Sequence, residues 1–204
     1  LFYPEATENA LVLQDDSIHR GLHRFQEAGF HVWLDDFGSG YSSLNVLKDY
    51  HFHTLKLDMA FLHPFTRESR TILTSIIRMA KELGIHTLAE GVETKEQADF
   101  LRDIGCEKLQ GYYFSKPLPL AECLSFCQDH DLAFESLQEA VLLERAGLID
   151  VSQPTPIAIV ADDAKNLQFL QVNAAYLKSL QSMGTSTMTD SNHFLRSLDF
   201  PMHQ

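Results

Sequence analysis

Glu5, Asp35, Asp36, Lys56 and Glu90 each fall at or near the end of an apolar run with strand character. Carboxylates placed this way are oxygen donors for hard cations such as magnesium. Such an ion takes several oxygen ligands, and a two-metal site needs a carboxylate able to bridge. The pair inside "WLDDFGSGYSSL", Trp33 to Leu44, is the most demanding feature. Two like charges that follow a buried strand repel each other and resist desolvation, unless something positive lies between them or water reaches both. A lysine on the next strand can hold a water or steady developing charge, and a further glutamate can take the proton of an attacking water. A plainer reading uses the same residues: Asp35 and Asp36 cap the following helix and Lys56 merely pairs with them. Four carboxylates and a lysine, all at strand ends, favour the first reading.

These positions converge only if strands and helices alternate along the chain. "LFYPEAT" reads as the end of a strand, and Ile18, Leu22 and Phe25 recur at helical spacing from Ser17 to Ala28, with Gly29 as the stop. "FHVWLDD" is a buried strand, "FGSG" a turn, "YSSLNVLKDY" a helical turn or two, and "HTLKLD" a strand. Ile72, Ile76, Ala80 and Leu83 mark a long helix closed by Gly84. "IHTLAEG" is a strand, and "TKEQADFLRDIG" is a helix opening on a capping-box pair, Thr94 and Gln97. "EKLQGYYF" is a strand, and Pro117 and Pro119 precede the helix "LAECLSFCQDH". The alternation predicts a parallel α/β domain. In a barrel of β/α units the C-terminal ends of the strands form the rim where active sites assemble, and Gln110 joins the set there. After about His130 the rhythm changes. "FESLQEAVLLERAGL" reads as one helix, "VSQPTP" as a linker, and "PIAIVADDAKNLQFLQVNAAYLKSLQSMG" as strand, turn, strand and helix, with "GTSTMTDSN" as a loop.

A net charge of −12 argues against a sequence-independent grip on long nucleic acid, which works through basic contacts to phosphates. A small phosphodiester remains compatible, because bound cations reverse the local sign. No run approaches the roughly 18 apolar residues of a membrane span. The opening "LFYPEATENA" has neither a basic region nor an apolar signal core and reads as a cut edge. Cys106, Cys123 and Cys127 form no zinc-type framework and read as reduced thiols of a cytoplasmic protein, the last two as possible neighbours on one helix face. "FGSGYSS" lacks the lysine and spacing of a P-loop. Asp58 suits a helix cap at least as well as catalysis.

Taken in order, "LDDFGSGYSSL", "LKLDMAFL", "LAEGVET" and "QGYYFSKPLP" resemble the EAL domain family, phosphodiesterases of the bacterial second messenger cyclic di-GMP. The resemblance runs from about Phe2 to about His130. It implies a TIM-like (β/α)8 barrel that opens cyclic di-GMP to linear pGpG with magnesium (Mg2+) or manganese (Mn2+), two ions in all. By motif, Glu5, Asp35 and Asp36 are implied metal ligands, the aspartates shared between the ions. Lys56 is implied to orient the hydrolytic water, and Glu90 to be a metal ligand or general base. Gln110 is implied to be a substrate contact, and Glu8 to steady the loop after Asp36. That loop is implied to couple the site to a homodimer interface.

Two family features do not stand in this sequence: the Glu-Ala-Leu of the first barrel strand with its following Arg, and an Asn ligand of the second. A full barrel takes about 250 residues. Residues 1–130 are therefore expected to be an EAL domain without its first two β/α units, with weakened metal affinity. His53 in "HFHTLK" stands where many members carry Asp in "PVDxLK". Residues 131–153 are expected to be a connecting helix and linker. Residues 154–204 resemble, more weakly, the opening strands and Asn-bearing helix start of a PAS sensor domain. The rival to an enzyme is a module that binds cyclic di-GMP or a protein without hydrolysis, or an inactive fragment. Retention of both aspartates, the lysine and the last glutamate favours the enzyme.

Overall fold

The computed structural model describes residues 3–12, 16–38, 44–130, 132, 136–162 and 167–182. The chain divides into two units, Leu1–Phe134 and Glu135–Gln204. In the first, strands β1 (Glu5–Thr7), β2 (Trp33–Phe37), β3 (Thr54–Leu57), β4 (His86–Ala89) and β5 (Lys108–Leu109) form one sheet in chain order, every pairing parallel. Between and after them run α1 (Glu8–Val12), α2 (Asp16–Glu27), α3 (Leu44–Asp49), a 3-10 helix (Met59–Leu62), α4 (Arg67–Glu82), α5 (Lys95–Asp103) and α6 (Leu120–Asp129). Parallel strands joined this way place all their C-terminal ends on one edge.

β3 and β4 are buried at every position, as expected of strands covered on both faces. On one face, Leu34, Leu55, Leu57 and Ala89 enter a single cluster with Leu73, Ile77 and Ala80 of α4 and with Ala98 and Leu101 of α5. Of the predicted row, Ala80 is fully buried and Ile76 packs half-buried against the cluster, but the inward line of the long helix runs through Leu73 and Ile77, one residue on from Ile72 and Ile76. Leu73 and Ile77 are fully buried, whereas Ile72 is 48% exposed. The two rows lie about 100° apart on the same helix, and only docking against the sheet chooses between them.

The capping box of α5 forms as expected. Thr94 accepts from the Gln97 N–H at 3.2 Å, and Gln97 Oε1 accepts from the N–H groups of Thr94 and Glu93 at 3.0 and 2.8 Å. Gln97 Nε2 also donates to the Leu62 carbonyl at 3.2 Å, tying the helix start to the end of the 3-10 helix. β5 stops at Leu109, shorter than the strand predicted from "EKLQGYYF". At Gly111 the chain passes so close to Val92 that a Cβ would overlap the Val92 backbone. The chain then turns, with the Phe114 N–H bonded to the Gly111 carbonyl at 3.1 Å.

In the second unit, β6 (Ala158–Asp162) and β7 (Leu167–Val172) pair antiparallel, with α7 (Leu137–Gly147) before them and α8 (Ala174–Ser182) after. Asn173 is buried at the start of α8 with its amide fully used. Its Oδ1 accepts from the N–H groups of Ile157 and Tyr176 at 3.0 and 2.9 Å, and its Nδ2 donates to the carbonyls of Gln153 and Thr155 at 3.0 and 2.7 Å. The predicted loop "GTSTMTDSN" lies outside the described residues, as does most of "FGSGYSS".

Candidate metal centre

Strand register brings the predicted residues onto one face. Glu5 pairs with Trp33 and Thr7 with Asp35; Trp33 pairs with Thr54, Thr54 with His86, Lys56 with Leu88, and Leu88 with Lys108. Side chains alternate along a strand. Glu5, Asp35, Lys56, Glu90 and Gln110 therefore share a face, opposite the one that carries Leu34, Leu55 and Ala89 into the helix-covered core. The ladder runs one rung past the strands: Glu90 N–H donates to the Leu57 carbonyl at 3.1 Å and Gln110 N–H to the Ala89 carbonyl at 2.9 Å. Further down this face, Tyr3 stacks on Trp33 at 4.6 Å between centroids, and the Lys108 ammonium lies 5.3 Å from the Trp33 ring.

Two adjacent aspartates in a regular strand would point to opposite faces. Here the pairing shifts: Leu34 opposes Leu55, and Phe37 opposes Leu57. Asp35 and Asp36 together stand against the single residue Lys56, which is a β-bulge. Asp36 takes a left-handed backbone with φ of 58°, a conformation that short polar side chains tolerate better than most. The bulge turns both carboxylates toward the same place. Asp35, Asp36 and Glu90 each present an oxygen within 4.8 Å of the other two.

Lys56 binds this cluster together. Its Nζ is 2.7 Å from Asp35 Oδ1, 3.0 Å from Glu90 Oε1 and 3.3 Å from Glu5 Oε1, and the side chain is only 11% exposed. Burial by itself lowers a lysine pKa, but hydrogen bonds to Asp35 and Glu90 and their charges override it and hold this ammonium above its ordinary value. Asp36 is moved the other way from a typical paired carboxylate. Burial first, then the negative charges of Asp35 and Asp58, raise its pKa. A cation beside Asp36 would reverse that balance, so this donor set fits a hard divalent ion.

Glu5 reaches the cluster through Lys56 and stands outside the 4.8 Å group. Gln110 is placed at the rim by its backbone, with an exposed side chain. Glu8 opens α1, and its side chain lies outside the described residues. Asp58 resolves as a cap: its Oδ1 accepts from the Ala60 N–H at 2.7 Å and starts the 3-10 helix. What sequence reading missed at the rim is backbone. Gly91, at φ of 69°, crosses Met59 so closely that any Cβ would collide, and this contact holds the segment after β3 against the one bearing Glu90. The only signal in the sequence was the glycine in "EGVE".

Parallel strands in chain order, with carboxylates and one lysine at their C-terminal ends, define a TIM-like β/α fold with a rim-mounted polar centre. The chain belongs to the EAL domain family, whose model matches residues 5–117. It is 44% identical over 124 residues to the cyclic di-GMP phosphodiesterase NbdA of Pseudomonas aeruginosa, across 60% of this chain and 16% of that protein. Among solved structures it resembles the EAL domain of DcpA from Mycobacterium smegmatis, with a TM-score of 0.57 and 32% identity over 62% of this chain and 58% of that one. It also resembles BlrP1 from Klebsiella pneumoniae, solved with manganese and cyclic di-GMP, with a TM-score of 0.54 and 32% identity over 56% of this chain and 30% of that one. The chain thus spans less than two-thirds of the length of each. Among the described residues, no helix is long and apolar enough to cross a membrane.

Proposed function

We propose that this chain carries the rim of a metal-dependent phosphodiesterase that hydrolyses cyclic di-GMP to linear pGpG in bacterial signalling. The observation that carries the reading is the bulge, which sets Asp35 and Asp36 beside Glu90 with Lys56 opposite. Asp35, Asp36, Glu90 and Glu5 would hold magnesium or manganese, two ions in the full site. Bound there, divalent cations supply positive charge against the phosphodiester and make water more acidic.

The residues divide the remaining work. Lys56, fixed by three carboxylates and charged at any physiological pH, orients the attacking water and faces the charge that develops on phosphate. Glu90 accepts the proton of that water. Gln110, at the end of the next strand, contacts the substrate, and Glu8 steadies the loop after Asp36. That loop is the proposed homodimer contact. The remaining boundaries follow the same proposal: an EAL portion over residues 1–130, a connecting helix and linker over 131–153, and the start of a PAS-like sensor over 154–204. The buried Asn173 hub supports the last of these.

The test is chromatography of cyclic di-GMP incubated with manganese and either the wild-type chain or Asp35→Asn. Appearance of pGpG with the first and its loss with the second is the expected outcome. Equal turnover by both removes the metal assignment, and binding without turnover by the wild type moves the reading to a non-catalytic module.

A further inference from the structure

Away from the rim, Cys123 and Cys127 are soft donors that the proposed hydrolysis does not use. They lie one turn apart on α6, both free and both half-buried, and none of the residues of α6 is fully buried. Residues at i and i+4 of a helix have Cβ atoms about 5–6 Å apart. A disulfide needs roughly 3.5–4.5 Å between them, so these two thiols cannot join while the helix is intact. The same spacing suits a shared ion. With metal–sulfur bonds of about 2.3 Å at a tetrahedral centre, two sulfurs stand about 3.8 Å apart, which side chains on adjacent turns reach without moving the backbone.

The two thiols lie on one side of the helix. Burial, then the charge and hydrogen bond of Cys123, push the Cys127 thiol above its ordinary pKa. His130, three residues beyond Cys127, is tied back to the preceding turn: its ring stacks on Phe126 at 4.0 Å between centroids and its Nδ1 donates to the Phe126 carbonyl at 2.9 Å, so the two sulfurs are the donors of this face. Cys106 differs: it is 5% exposed, and burial pushes its thiol up to about 12.

We propose that Cys123 and Cys127 form a site for a soft divalent cation of the zinc or cadmium class, distinct from the hard-cation carboxylates of the rim. On binding, two S–H bonds break and two sulfur–metal bonds form. Two protons go to solvent, and no electron changes hands. Thiolates select softer ions than carboxylates do, so magnesium does not compete for the pair.

The test is a titration of the reduced 204-residue chain with Cd2+ in excess Mg2+, following sulfur-to-cadmium charge-transfer absorption and proton release. The expected result is saturation at one cadmium per chain. Cys123→Ser and Cys127→Ser should each weaken binding by roughly tenfold or more, and Cys106→Ser should leave it unchanged. Circular dichroism checks that each variant is folded. Absence of the band, its survival in folded Cys123→Ser and Cys127→Ser, or saturation at one cadmium per two chains overturns the proposal.

Discussion

Lys56 faces Asp35 across the β2–β3 ladder, 2.7 Å from ammonium nitrogen to carboxylate oxygen, at the point where β2 carries one residue more than its partner. The cation that makes the carboxylate cluster tolerable is thus built into the sheet. In the absence of metal, Lys56 neutralises part of a charge that would otherwise oppose folding. With metal bound as proposed, it would remain beside the same carboxylates.

Lys56→Met should therefore damage both stability and turnover. Removing one partner of a fully buried ion pair costs about 3–5 kcal/mol. Solvent reaches the carboxylates here, so roughly 1–3 kcal/mol is expected from denaturant unfolding. Manganese should restore much of that loss without restoring hydrolysis. The pH signature is also fixed. Because the ammonium is held above its ordinary value, its contribution is intact below about pH 10.4 and is lost only as pH rises through the higher folded value. Wild type and Lys56→Met should keep a constant stability gap between pH 7 and 9.

Asp36→Asn should behave in the opposite sense. A raised carboxyl gives stability only below the unfolded value of about 3.9 and loses it as pH rises through the folded value, so ionised Asp36 opposes folding at neutral pH. Asparagine removes the charge and also tolerates the left-handed backbone. Without metal, the variant should melt about 1–4 °C higher than wild type. Manganese should raise the melting temperature of wild type more than that of the variant, and pGpG formation should fall by orders of magnitude.

Two glycines separate strain from crowding. Gly29 has φ of 81° with open space around it, so Gly29→Ala should cost only about 1–2 kcal/mol of backbone strain. At Gly111 a Cβ would meet the Val92 backbone, and Gly111→Ala should cost roughly 3 kcal/mol. Because Val92 follows Glu90 by two residues, the second variant should also lose turnover when assayed well below its melting temperature.

Thiol labelling gives an independent check on the core. Cys106 is buried with a thiol pushed up to about 12, so at pH 8 it should resist iodoacetamide until the chain unfolds. The half-buried Cys123 and Cys127 should label first. Peptide mass spectrometry distinguishes the three.

The sequence announced what depends on side-chain type. Thr94 and Gln97 carried the capping box in their identities, and the short apolar runs before Asp35, Lys56 and Glu90 marked their strands. Register then followed, because helix-covered parallel strands admit few alternatives. What could not be read depended on backbone path. Nothing in "LDDF" says that the strand bulges, and Ile72 and Leu73 are equally apolar candidates for the inward row of α4. Asp58 was legible as a cap, but the 3-10 helix it starts was not. Capture of Glu5 by Lys56 depended on the length of a lysine side chain crossing between strands that are not neighbours.

The bulge has one more consequence. Leu34 opposes Leu55 before it and Phe37 opposes Leu57 after it, so the surplus is a single residue and both flanks are already in step. A chain lacking Asp36 alone would close this gap into an ordinary ladder, with Asp35 across from Lys56 and no other side chain turned over. Such a deletion should fold at least as firmly by circular dichroism and thermal melting, yet take up manganese poorly. Architecture and chemistry in this sheet would then be separable by one codon.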